Sequence, residues 1–401
     1  MRAGPATLRG LLVLGALAAT AVSAQEIAFD TVLVDEDASG DDKAVADLDE
    51  DGYADGILGG AALSWWRSNG PSRTLEGPFQ IDAASVEFTT DMATADLDSD
   101  GDEDLVVGDG DDPGNVQWFE NPRLFPPDGK GNDPEVGANW TQHTIGSHGS
   151  WAHDIEVADL DGDARLDVLT CGNGAFKVFF RNSNGTWTAK DFAAHADDGS
   201  PAVANVDGDG DLDLFVAGGW IEQPATNRRE PGSWTFHAID DSNPGDGPAA
   251  AAFDIDDDGR VDLVTSPQHA TGSLAWFENP ADPESASWPR HEISDTAGSH
   301  HLRAADFDAD GRLDLLTGLE LGAISVWRIS GATPTFTAFP VDDTGGHNAA
   351  AGDFDGDGRP EIWAADYIGN PPLRIHWNTS CGLFCDGFEV DGYDRWSFVE
   401  P

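Results

Sequence analysis

The chain has 401 residues, with 74 Asp plus Glu against 21 Lys plus Arg, and a formal net charge of −53. A polyanion of this kind repels phosphate backbones and anionic lipid surfaces, which argues against nucleic-acid or membrane-surface binding. Its 14 Trp and 20 Phe recur with a repeat described below, and this sets it apart from disordered acidic chains.

Residues 1–24 read as a secretory signal peptide. Arg2 and Arg9 form the positive start, Leu11 to Ala21 the apolar core, and Val22-Ser23-Ala24 a small-residue cleavage site before Gln25. The apolar run is too short for a comfortable membrane span. The mature protein is therefore expected to be soluble, without membrane insertion, and exported: secreted, cell-surface or periplasmic.

From Gln25 onward one acidic stretch recurs seven times. Its copies begin at Asp47, Asp96, Asp159, Asn205, Asp254, Asp306 and Asp353, at spacings of 49, 63, 46, 49, 52 and 47 residues. Each reads D-x-D-x-D-G-x-x-D or close to it. Calcium takes six to eight oxygens, and carboxylates on alternate residues can wrap round it, with glycine at position 6 for the sharp turn. The expected side-chain ligands are Asp47, Asp49, Asp51 and Asp55 in the first copy, and Asp96, Asp98, Asp100 and Asp104 in the second. They continue with Asp159, Asp161, Asp163 and Asp167, then Asn205, Asp207, Asp209 and Asp213, then Asp254, Asp256, Asp258 and Asp262. The last two sets are Asp306, Asp308, Asp310 and Asp314, and Asp353, Asp355, Asp357 and Glu361. The third copy has Ala164 at position 6 and is expected to be the weakest site.

These stretches are not EF-hands. The bidentate Glu is missing at position 12, and short apolar runs such as Leu105-Val106-Val107-Gly108 follow instead of a helix. Such runs predict strands buried on both faces. Each unit parses into four strands. An inner strand such as Lys43-Ala44-Val45-Ala46 leads into the acidic turn, and the apolar strand leaves it. A third strand carries an aromatic pair and often an Asn, as in Trp118-Phe119-Glu120-Asn121-Pro122. A fourth has the pattern Trp-x-x-His-x-Ile, from Trp140, Trp234 and Trp288. Four strands in each of seven repeats predict an all-β, seven-bladed β-propeller with calcium loops. Phe29 to Val34 resembles a fourth strand, and the seventh repeat ends after its third near Trp377, so the N-terminal strand is expected to close the ring. The aromatics read as packing between blades, and His143, His237 and His291 in the fourth strands as structural.

Two irregular stretches, Arg123 to Gly137 and Trp220 to Pro231, read as surface excursions suited to binding. Residues 379–401 form a short tail outside the propeller (25–378), with Cys381 and Cys385; Cys171 stands alone in the third repeat. The tail cysteines could pair locally in an exported protein.

With turns such as Asp353-Phe354-Asp355-Gly356-Asp357-Gly358 followed by a strand, the chain resembles the FG-GAP/VCBS repeat family, over roughly Ile27 to Asn378. That resemblance implies an integrin α-like calcium-binding propeller. It also implies a role as an adhesive or interaction module, or as part of a carbohydrate-active enzyme.

Six residues before each acidic stretch stand Asp41, Thr90, His153, Gly199, Pro248, His300 and His347. They begin the inner strands, so they are expected to converge round the central channel on the face opposite the calcium turns. The three histidines, with Asp154, His301, Asn348, Asp42 and Asp91 beside them, could bind a transition metal or move protons. No Gly-x-Ser-x-Gly, phosphate loop or dinucleotide fingerprint occurs. The resulting expectation is a monomeric calcium-binding module for an extracellular protein or glycan. The alternative, by likeness to the propeller of aldos-2-ulose dehydratase, is a carbohydrate lyase or dehydratase using His153, His300 and His347.

Overall fold

The computed structural model describes residues 26–380 apart from 39, 61, 83–88, 112, 123–133, 173–174, 193–199, 217, 240–247, 268–272, 285–286, 296–298 and 370. The expected signal peptide, most of the Arg123–Gly137 stretch, Gly199, and Cys381 and Cys385 lie outside the described residues.

Seven antiparallel sheets of four strands each make the fold. Blade 1 runs through Asp42–Ala46, Asp55–Gly59, Leu63–Ser68 and Leu75–Asp82, and the later blades repeat that order from the inside outward. The second strands are apolar and buried throughout: every residue of Asp55–Gly59, Asp104–Asp109, Asp167–Gly172 and Asp314–Gly318 is buried. Sheets that face each other on both sides leave such a strand no solvent face. Among the described residues there is no α-helix, and none that is long and apolar enough to cross a membrane.

The seventh blade takes Ala350–Gly352, Glu361–Ala364 and Leu373–Asn378 from the C-terminal end and its outer strand, Phe29–Asp35, from the other. Phe29 pairs with Asn378 and Leu33 with Arg374. The first and seventh blades also meet, Trp66 against Trp363 with ring centroids 5.5 Å apart, and Trp363 Nε1 donates to Ile57 O at 2.8 Å.

The core is divided among the blade interfaces. Trp65, Leu105, Val107 and Phe119 form one cluster between blades 1 and 2, and Leu169, Phe176, Leu214 and Ile221 another between blades 3 and 4. The expected packing role of the aromatics is thereby met.

The fourth-strand histidines are built into the sheet. His143 stacks on Trp118 (4.3 Å) and bonds Glu120 at 2.6 Å; His237 with Trp220 and Glu222, and His291 with Trp276 and Glu278, repeat the arrangement. The Trp that opens each of these strands donates its indole N–H to the preceding connection: Trp140 to Pro134 O, Trp234 to Arg228 O, Trp288 to Pro283 O.

Candidate functional site

Each acidic turn organises itself before any ligand is considered. The position-1 side chain receives the backbone N–H groups that the tight turn would otherwise orphan: Asp47 from Asp51 and Gly52, Asp306 from Asp310 and Gly311, Asp353 from Asp357 and Gly358. Asn205, with one acceptor oxygen, receives Gly208 and, at 3.4 Å, Gly210. Position 6 takes positive φ in every copy, including Ala164 at 66°. Position 4 does so too, in Glu50, Ser99, Gly162, Gly208, Asp257, Ala309 and Gly356. Only three of those seven are glycine, so the consensus carries no mark of this second left-handed position.

The position-9 acid is buried and serves as a staple in all seven blades. One oxygen of Asp55 accepts Leu48 N in the turn, and the other accepts Ser68 N at the end of the third strand. Asp104, Asp167, Asp213, Asp262, Asp314 and Glu361 do the same, the last for Phe354 and Asn378. Sequence spacing offers these residues only as metal ligands; their backbone role emerges from the fold.

Positions 1, 3 and 9 converge. Oxygens of Asp47, Asp49 and Asp55 lie within 4.8 Å of one another, as do those of Asp96, Asp98 and Asp104, of Asp159, Asp161 and Asp167, of Asp254, Asp256 and Asp262, and of Asp306, Asp308 and Asp314. Position 5 turns inward differently: Asp51, Asp100, Asp209 and Asp310 each accept the backbone N–H of position 7. The donor set is hard oxygen, suited to calcium rather than a thiophilic or imidazole-seeking metal. Asp49 Oδ1 is buried and accepts no hydrogen bond from the described residues, which fits an oxygen suited to a cation. Burial pushes Asp55 up to about 8, Asp104 up to about 7 and Asp314 up to about 7, with neighbouring turn carboxylates pushing the same way. A bound divalent ion would relieve that repulsion.

On the opposite face the inner strands begin, and the expected histidines come together there. Ring centroids of His153 and His300 are 5.9 Å apart, and those of His300 and His347 4.3 Å. His347 packs at a tilt against Tyr367 (4.3 Å), and Trp151, 38% exposed, stands edge-on to His153 at 5.4 Å.

Each imidazole is oriented through Nδ1: His153 on Asp154 (2.6 Å), His300 on Asn348 Oδ1 (3.0 Å), His347 on Asp41 O (3.1 Å). Asn348 in turn donates to Asp42. Asp154 is the hub. It accepts from His153 and Ser200, lies 3.3 Å from Cys171 Sγ, and faces His301 from blade 6 at 3.7 Å. Burial alone would raise its carboxyl, but His153, His301 and Ser200 hold it well below the usual range.

The surrounding acids move the other way. Burial pushes Asp41 up to about 6, Asp42 up to about 7 and Glu156 up to about 7, against the pull of Lys43 or Arg303. Burial also drives His347 and His301 down, so both are neutral near pH 7. Among the described residues, Asp42 Oδ2 and Asp91 Oδ1 are buried without hydrogen-bond partners. The mouth thus sets an exposed indole beside a buried cluster of imidazoles and carboxyl groups. Trp151, Ser200 and Tyr367 escaped the sequence reading because they stand off the six-residue offset; Thr90 and Asp41 are there as expected, and Pro248 begins its strand.

Where they are described, both excursions touch the body of the fold. Trp220 is a core residue within Gly219–Glu222. Arg228 and Arg229 beyond it reach across to the third acidic turn. Of the Arg123–Gly137 stretch, Glu135 pairs with Arg67, and Pro134 O accepts the indoles of both Trp65 and Trp140.

A seven-bladed propeller with an acidic turn in every blade is the class defined by these elements. This chain carries FG-GAP-like repeats: that family matches residues 96–170, 159–216 and 254–317. Among solved structures it is similar to the BP39L lectin from Burkholderia pseudomallei (TM-score 0.57, 19% identity, 83% of this chain and 98% of that one). It is also similar to an Agrocybe aegerita lectin studied for specific recognition of non-reducing terminal N-acetylglucosamine (TM-score 0.51, 17% identity, 88% and 86%). A third is BBS1N, solved in complex with ARL6DN (TM-score 0.52, 11% identity, 89% and 98%). At these identities the likeness is one of fold. No curated protein matches the chain.

Proposed function

We propose that this chain is an exported propeller, stiffened by calcium in its acidic turns, that binds a glycan at the mouth of its central channel. The observation that carries the reading is Trp151, exposed beside His153 over a cluster of oriented imidazoles and carboxylates. An indole face takes the C–H side of a sugar, while the partly exposed His153 and Tyr367 nearby would take its hydroxyls. Calcium would be held by positions 1, 3 and 9, and its work would be to neutralise and fix the turns. Two neighbours of this fold are lectins, which supports a binding rather than an enzymatic role. Residues 1–24 support export. The test is a glycan array probed with the mature chain and with Trp151→Ala. Capture of a glycan that falls at least about tenfold in the variant is expected; equal capture by both proteins would remove the channel mouth from the proposal.

A second reading, a sugar lyase or dehydratase, is favoured by one observation, the succession of His153, His300 and His347 with Asp154 behind His153. In that reading one imidazole takes a proton alpha to a sugar carbonyl or carboxylate, the electron pair forms the C=C bond, and the C–O bond at the beta carbon breaks, its oxygen leaving protonated as water or an alcohol. Its signature would be an unsaturated, ultraviolet-absorbing product that disappears in His300→Ala.

A further inference from the structure

The seven turns differ in what already sits on them. Among the described residues no basic side chain pairs with Asp96, Asp98, Asp100 or Asp104 in the second turn. In the third, Arg229 arrives from the connection between the third and outer strands of blade 4. It pairs with Asp161 at position 3 and with Asp163 Oδ2 at position 5 (2.9 Å). Arg181 O (3.1 Å) and Asn182 Oδ1 (2.7 Å) accept its remaining donors, and Phe180 lies 5.3 Å below its guanidinium.

The seventh turn repeats this design with different residues. Arg73 comes from the same connection of the next blade round, blade 1. Its Nε meets Asp355 Oδ2 at position 3 (2.7 Å) and its Nη2 lies 3.8 Å from Asp357 Oδ2 at position 5. Asn378 O accepts from it at 3.3 Å, and Trp377 lies 5.8 Å beneath.

In both, an arginine of the following blade engages positions 3 and 5, a carbonyl at the end of the third strand, and an aromatic of that strand. Elsewhere basic contacts with the ligand positions are lesser. Arg260 pairs with Asp258 at position 5 alone, and Arg328 is 3.7 Å from Asp308. Convergence of positions 1, 3 and 9 does not separate the two kinds, because Asp159, Asp161 and Asp167 converge like the rest.

We infer that Arg229 and Arg73 are built-in counter-cations of the third and seventh turns. They take the position-3 carboxylate that a calcium ion would need and the position-5 carboxylate beside it, so these two turns hold their shape without metal while the others use it. A guanidinium offers five donors and a permanent charge in a rigid plane, enough to satisfy two carboxylates and a carbonyl at once. The same fixed positive charge repels a divalent ion and leaves fewer than the six to eight oxygens it requires. The inference rests on the calcium reading proposed above.

The experiment counts bound calcium at equilibrium in the mature full-length chain, by competition with a chromophoric chelator, for single substitutions. Asp98→Asn is expected to lose one ion, Asp161→Asn and Asp355→Asn none, and Arg229→Gln to gain one. Loss of one ion in each of Asp161→Asn and Asp355→Asn, alongside the loss in Asp98→Asn, would overturn the inference and leave the calcium reading standing. A wild-type chain that binds no calcium, with Asp98→Asn the same, would overturn both. The asparagine variants need no gain of binding, so the outcome does not hang on how well Arg229→Gln folds.

Discussion

Asn279 donates from one amide to Val206 O at 2.8 Å and Val261 O at 2.9 Å, joining blade 5 to the turn of blade 4. The position-2 carbonyl it reaches is claimed by the following blade in six of the seven turns. The donors are Asn121 on Leu48, Gln223 on Leu160, Asn279 on Val206, Arg312 on Ile255, Asn378 on Phe307 and Ser68 on Phe354. Removing Asn279 as Ala strands one buried and one partly buried carbonyl and should cost about 2–3 kcal/mol, read as a lower urea midpoint with unchanged slope. Resistance within about 0.5 kcal/mol of wild type would show the clasp to be dispensable. At this scale the acids were legible in the sequence, because calcium-like spacing and staple spacing use the same letters. The clasp was not, since amide, guanidinium and hydroxyl all perform it. Position 4 was hidden for a similar reason: Glu, Ser, Ala and Asp accept positive φ there alongside Gly.

Among whole strands, the outermost of blade 7 is the one held differently. Thr31 Oγ1 meets His376 Nδ1 at 2.9 Å across the pair, and His376 is buried. Burial pushes this imidazole down to about 4, opposed by Asp342 and reinforced by Arg374. In the unfolded chain it titrates near 6.5, so between the two values the folded state binds fewer protons. Its contribution is therefore intact above pH 6.5 and is lost as the pH falls toward 4, by at most about 3 kcal/mol. Wild type should lose more urea resistance between pH 7.5 and 5 than His376→Gln does; parallel losses would clear His376 of the effect. The strand itself was readable from its pattern and from the missing fourth strand of the last repeat. The Trp220–Pro231 stretch reads as a surface excursion, and Ala225, Thr226, Asn227 and Glu230 are exposed; its polar composition gives no sign that Arg228 and Arg229 are anchored. Arg229 finds its partners 47 to 68 residues back in the chain, where no local pattern points.

For the molecule as a whole, a formal charge of −53 is a standing repulsion that the fold must offset. Calcium in several turns would add RT ln(1 + [Ca]/Kd) each, about 2.7 kcal/mol per site at a hundredfold excess over Kd. Chelation should lower the thermal midpoint by about 10 °C or more, and added sodium chloride should recover part of it by shortening the Debye length. A midpoint indifferent to chelation would remove calcium from the stability of the ring. The repeat count, the blade plan and the meeting of three histidines follow from periodicity, because identical offsets in a ring must face one another. Which turns are already neutralised does not follow, since Arg73 and Arg229 lie outside the repeated stretch.

Blade 7 draws its strands from both ends, with Thr31 and His376 separated by 345 residues. At roughly 5–20 residues per second, the ribosome delivers the partner about 20–70 s after the first strand has emerged. During that interval Val32 and Leu33, still 46% and 48% exposed when folded, lie on an unpaired edge of the kind that recruits other chains. Among the described strands, the outer strand of blade 7 is thus made long before its partner, and the pairing can form only once Leu373–Asn378 has been synthesised.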